Sequence, residues 1–254
     1  MTLSKNMPNH ITNRLQIIGS NPEVVFDFIR SKKNEDDLFD FNLIVPTPEE
    51  IEAVGEPSSR VVAAAYEIAK SLAEMSVLKA GHLDIQKRYR VEPEYYSQLE
   101  KAVRAVRKTG FAYWYDWRVQ NWDTKWGAYN FRREGNFLFF ETAWSFPETI
   151  IFKLSKLFAA HTFKIAWADE DTGHNTGKMV IKNGVLVEGG YFINGSNEAF
   201  ENAFQLNPDI KEHFRLIDGE YKLYDEDDEI EQKQIISSNE QPLTNDNFLP
   251  NLFD

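Results

Sequence analysis

The stretch HITNRLQIIG, residues 10–19, puts Ile11, Asn13, Leu15 and Ile17 on alternate positions and ends at a glycine. A period of two over eight residues fits a strand with one buried face and does not fit a helix. The period then changes. Ser20 and Glu23 form a capping-box pattern, Pro22 suits an early helical position, and Val24, Val25, Phe28 and Ile29 recur at helical spacing. A strand that feeds directly into a helix restricts the fold to layered α/β or α+β arrangements.

After the polar stretch SKKNEDD, LFDFNLIVPTPEE (38–50) reads as extended and is stopped by Pro46 and Pro48. Two helical stretches are predicted next. The first, Ser59 to Leu78, is rich in alanine; the second begins near Pro93, carries Tyr96, Leu99, Val103 and Val106 on one stripe, and meets a C-cap at Gly110. GAYNFRREGNFLFFETAW (127–144) reads as two strands joined at Glu134, Gly135 and Asn136. Pro147 opens a helix with Ile150, Ile151, Leu154, Leu157 and Phe158 on its apolar face, and the strand TFKIAWA follows. KMVIKNGVLVEGGYFI then gives a hairpin turning at Asn183-Gly184.

The order β-α-β-β-α-β is that of an α+β, ferredoxin-like split βαβ sandwich. Residues 1–217 are expected to form one such domain, with a helical insertion at about 47–110 and an extra C-terminal β-hairpin. Residues 218–254 are expected to form an acidic tail, because 218–231 hold eight acids and one lysine.

Composition removes several chemistries. The chain has no cysteine, so it has no disulfide, no thiolate nucleophile and no cysteine-held zinc or iron–sulfur cluster. Its net charge of −12 opposes general attachment to phosphate backbones. A local basic run survives that argument, since residues 79–108 hold eight Lys and Arg against four Asp and Glu. No apolar run is long enough for a membrane span and the first residues have no apolar leader core, so a cytoplasmic location and no membrane partner are expected.

The segment ADEDTGHNTGK (168–178) concentrates Asp169, Glu170, Asp171 and His174, which could hold a divalent cation through hard oxygen ligands and one imidazole. As a calcium loop it lacks a ligand at Gly173 and the bidentate glutamate at Val180, and as a P-loop it is one residue short with Met179 where Ser or Thr belongs. No serine lies in a nucleophile elbow, and the five histidines show no metal-ligand spacing. No catalytic residue, metal, cofactor or small-molecule substrate is therefore assigned.

In YDWRVQNWDTKWGAYN (115–130) the tryptophans suit a core by default. The functional reading uses Trp117, Trp122 and Trp126 as aromatic anchors, or as a base-stacking platform, with Asn121, Asp123 and Lys125 beside them.

MPNHITNRLQIIG (7–19), FDFNLIVPTPEE (39–50), WYDWRVQNWDTKWGAYN (114–130), FETAWSFP (140–147) and ADEDTG (168–173) together resemble the Api92-like proteins. These are also called the YubB or DUF1281 group, small phage- and plasmid-borne proteins with a ferredoxin-like domain. The resemblance implies that fold and the signature positions Asn9, Trp122, Lys125, Trp126 and Trp144. It implies no reaction and no catalytic residues.

The expected function is that of a non-enzymatic accessory protein of a mobile element that binds a host protein or ribonucleoprotein. A nucleic-acid-guided defence nuclease, such as a CRISPR effector, is the candidate partner, and inhibition in the manner of an anti-CRISPR is the candidate action. The expected contacts are the aromatic segment and the tail acids Asp225, Glu226, Asp227 and Asp228. A metal-dependent hydrolase using Asp169, Asp171 and His174, and a small RNA-binding module, are the alternatives.

Overall fold

A computed structural model describes residues 9–74 and 88–224. A six-stranded antiparallel sheet organises the first compact unit, which extends to Asn207. Its strands are β1 (His10–Ile18), β2 (Tyr129–Glu134), β3 (Phe137–Ala143), β4 (Thr162–Asp169), β5 (Gly177–Lys182) and β6 (Val185–Tyr191), in the order β2-β3-β1-β4-β5-β6. The first four have the split βαβ order, and the β5–β6 hairpin extends the sheet from the β4 edge. Asn183 and Gly184 both take positive φ in the two-residue turn, which is what that dipeptide was expected to supply.

Register explains the core. Leu15 lies opposite Leu138 on one side and Ile165 on the other, so the buried positions of three strands share a face. Two helices cover that face: α1 (Glu23–Ile29) through Val25, Phe26 and Ile29, and α6 (Glu148–Leu157) through Ile150, Ile151 and Leu154. Phe146 stacks on Trp167 at 4.3 Å beneath them.

Between α1 and β2 come α2 (Glu49–Glu52), α3 (Ser59–Glu74), α4 (Tyr96–Thr109) and α5 (Trp114–Trp122). The seam of α3 and α4 is built from small residues: Ala64 and Ala65 on one helix and Ala102 and Ala105 on the other are fully buried. The axes can therefore approach closely, while Val103 and Val106 are left half-buried to the side of Leu99. Gly110 caps α4 at φ 86°, as expected.

Two local expectations fail. The capping box at Ser20 and Glu23 does not form, because Pro22 occupies the N-cap position and Glu23 pairs with Arg133 of β2 instead. Residues 38–47 are not a strand. Asp40 accepts the Asn42 N–H at 2.9 Å, and Asn42 accepts both the N–H and the hydroxyl of Thr47 at 2.9 Å, so side chains wind the backbone into a 3-10 turn at Phe41–Leu43.

On the opposite face of the sheet lies α7 (Asn197–Leu206), capped by the Ser196 hydroxyl, which accepts the Ala199 N–H. Ala166 and Ala168 of β4 point to that side and are small enough to admit it. Asn202 pins the helix by donating to the carbonyls of Trp167 (2.9 Å) and Gly177 (3.2 Å) and to the Thr176 hydroxyl (2.7 Å).

The second unit begins at Pro208, earlier than the 217/218 boundary read from composition. It contains a 3-10 segment, Pro208–His213, and a hairpin of β7 (Phe214–Ile217) and β8 (Glu220–Leu223). The expected boundary coincides with the turn of that hairpin, where Asp218 and Gly219 both have positive φ. Asp225 to Asp228 and the rest of the tail lie outside the described residues. Among the described residues no helix is long and apolar enough to cross a membrane.

Candidate functional site

Helix α5 carries most of the aromatic segment and stops at Asp123, which takes a left-handed φ of 64°. Trp126 is therefore not on the helix, and the two ends of the segment have different fates. Trp117 and Trp122 are 6% and 2% exposed. Their rings meet edge to face at 5.8 Å, Trp122 meets Phe41 at 5.6 Å, and its indole N–H donates to the Val45 carbonyl at 2.9 Å. Both are core residues, not exposed anchors or a stacking platform, because the area a tryptophan buries outweighs what a surface position could recover. Arg118 lies over Trp114 at 5.0 Å and over Trp122 at 4.9 Å, and desolvation lowers its pKa.

The other end forms a cluster. Asp123 accepts the Thr149 N–H at 2.6 Å, and its carbonyl accepts the Ser145 hydroxyl. Pro147 at the N-cap of α6 has no side-chain acceptor, so Asp123 supplies the missing anion from another segment. Asn121 donates to the Trp117 carbonyl at 2.8 Å within its own helix. The Lys125 ammonium lies 4.8 Å from the Trp126 ring centroid and 5.0 Å from that of Trp144, a cation between two indoles.

Trp144 is held by its backbone. It has a φ of 75°, its N–H donates to the Asn9 carbonyl at 2.9 Å, and its carbonyl accepts from Asn175 Nδ2 at 3.0 Å. Buried Asp169 joins the same residues. One carboxylate oxygen accepts from Asn9 Nδ2 and the Asp171 N–H, both at 3.0 Å, and the other from Asn175 Nδ2 at 2.9 Å. Asn9 and the backbone of Trp144 thus meet at Asp169 and Asn175, and Lys125 and Trp126 join them through the Trp144 ring, while Trp122 sits apart in the core.

The hard-ligand reading of Asp169, Asp171 and His174 has no geometric counterpart. Asp169 faces N–H donors, whereas exposed Asp171 and His174 pair with each other at 3.6 Å. Among the described residues no group of three His, Asp or Glu side chains could hold a metal ion. Asn175 was missed, since only loop closure brings it to Asp169.

His10 and Tyr129 flank the cluster, with His10 Nδ1 2.7 Å from the Tyr129 hydroxyl. Burial, then the charges of Glu141 and Glu170, push that phenol up to about 12. The neutral phenol is the folded form, so its contribution is fully present below about 10 and is lost as pH rises through about 12. Ultraviolet titration should show one fewer late-ionising phenol in Tyr129→Phe. Loss of a phenol from the ordinary wave near about 10 instead would place Tyr129 in ordinary solvent.

A family model described as the ferredoxin-like domain in Api92-like protein matches residues 121–209, from the end of α5 through α7. Residues 121–209 are similar to the ferredoxin-like domain of Api92-like proteins. Lys125, Trp126, Trp144, Asp169 and Asn175 fall inside the Api92-like match, and Asn9 reaches them from the first strand's approach. The crystal structure of a protein api92 from Yersinia pseudotuberculosis is 12% identical, over 74% of this chain and 99% of that one, at a TM-score of 0.35. No curated protein matches the chain.

Proposed function

We propose that the chain is a mobile-element accessory protein that acts by binding a macromolecule, and that its partner is a nucleic-acid-guided defence nuclease whose basic groove it occupies. The observation that carries this reading is the charge imbalance, with 40 Asp and Glu against 28 Lys and Arg. The acids are locally grouped: Glu49, Glu50 and Glu52 fall in α2, and Asp36, Asp37 and Asp40 in the loop after α1. In that loop burial raises the Asp37 carboxyl, with Asp40 adding to the effect. A groove shaped for phosphates attracts such a surface at long range and raises the association rate.

Retention of purified RNA-guided nucleases on the immobilised chain, at low and high salt, tests it. The expected complex weakens with salt, and reversing Asp225, Glu226, Asp227 and Asp228 to lysine weakens it by about tenfold or more. Failure to retain any such nuclease, or a complex indifferent to both salt and charge reversal, would remove the reading.

A further inference from the structure

Helix α7 covers only part of the sheet face opposite α1 and α6. Beside it lies a groove of about 270 Å³ whose lining includes Arg14 and Gln16 of β1, Phe137 of β3, Lys164 of β4, Lys178 of β5 and Glu188 of β6. Register brings the cations together. Arg14 is opposite Ala166, Ala166 is opposite Lys178, and Lys164, two residues before Ala166, is opposite Gln16. Arg14 and Lys178 thus flank a small side chain across two strand spacings, about 10 Å between backbones.

Lys164 and Lys178 are exposed and Arg14 is half-buried. Among the described residues none of the three forms a salt bridge. Three like charges against one lining carboxylate, Glu188, repel one another and focus positive potential in a chain that is otherwise acidic. An anion entering the groove would relieve that repulsion.

Aromatic surface adjoins the cations. Phe137 and Phe139 alternate onto the same face of β3, opposite Gln16 and Arg14, with rings 6.4 Å apart and inclined by 28°. The Arg132 guanidinium lies 4.1 Å over Phe139 and occupies that ring, while Phe137 lines the groove. Lys178 also lies 5.6 Å from the Phe192 ring centroid, a contact that leaves its charge without a carboxylate. A half-buried phenyl next to cations that form no salt bridge is the pairing that single-stranded nucleic acid requires: a ring for a base and positive charge for the adjoining phosphates. An acidic peptide would use the charges and leave the ring unused. A duplex would hide its bases.

We infer that this groove binds a short single-stranded nucleic-acid segment, with a base against Phe137 and phosphates at Arg14, Lys164 and Lys178. The inference is independent of the acidic-surface reading, so a failed nuclease retention leaves it standing.

Fluorescence anisotropy of short labelled RNA and DNA oligonucleotides with the full chain tests it, the two sugars distinguishing the source. Three phosphate contacts should give a slope of log K against log salt of about −2, at roughly 0.7 per contact for single strands. Lys164→Glu with Lys178→Glu, both on exposed strand positions, should lower affinity by about tenfold or more and flatten that slope. Phe137→Ala, or an abasic oligonucleotide with the unaltered protein, should lower affinity by about tenfold with the slope kept. No binding at low salt, binding unchanged in the double charge reversal, or competition by polyglutamate or polyphosphate as effective as the oligonucleotide would each overturn it.

Discussion

Trp122→Ala is expected to lower the unfolding free energy by about 3–5 kcal/mol, the range for removing a fully buried large aromatic. The indole is packed edge to face against Phe41 and Trp117, and a guanidinium covers its ring. Truncation empties that volume and also leaves the Val45 carbonyl, which accepts the indole N–H, without its donor. Trp122→Phe weights the two effects differently, since it keeps most of the packing and loses the hydrogen bond together with a small part of the ring volume, at about 1–3 kcal/mol. Urea unfolding followed by far-ultraviolet circular dichroism reads both. If Trp122→Ala unfolded at the midpoint of the unaltered chain, the indole would have to be on the surface, and an anchoring role would return. The same measurement guards any binding experiment on this segment, because lost affinity in an unfolded variant says nothing about contact.

What could be read in advance was whatever a single element dictates. The alternation of β1, the turn at Asn183-Gly184 and the αL cap at Gly110 follow from local chemistry, and the succession of strands and helices along the chain gives the split βαβ order. Helix α7 also had a local signal, with Ser196 as a cap and Phe200, Ala203 and Phe204 at helical spacing, but its packing on the second face depends on Ala166 and Ala168 being small. The 3-10 turn at Phe41 was illegible, because the apolar residues around it suit a strand and the decision rests on where Asp40 and Asn42 send their side chains. Site geometry was the least legible. Lys125 meets Trp144 only because the loop after α5 returns to the end of β3, and Arg14, Lys164 and Lys178 each look like a solvated strand face until register sets them side by side.

Asp169→Ala is expected to cost about 2–4 kcal/mol, which places a residue at first suggestive of metal binding among the structural ones. Its carboxylate accepts from three donors that come from three places: Asn9 before β1, Asp171 in the loop after β4, and Asn175 further along that loop. Truncation leaves those donors facing a void, although Asn9 is exposed enough to recover water, which keeps the loss below the sum of three charge-assisted bonds. Asp169→Asn is nearly isosteric yet should still destabilise. Its amide oxygen can keep Asn9 and the Asp171 N–H, but its NH₂ then confronts the NH₂ of Asn175, and turning Asn175 over would forfeit its bond to the Trp144 carbonyl. The conservative variant therefore loosens the backbone of Trp144, and with it the indole that holds Lys125. Thermal unfolding with and without magnesium, manganese or zinc separates this from coordination: both variants should melt lower by an amount no metal changes. A metal that stabilised the unaltered chain and not Asp169→Ala would instead make the carboxylate a ligand, and would revive hydrolysis as the activity.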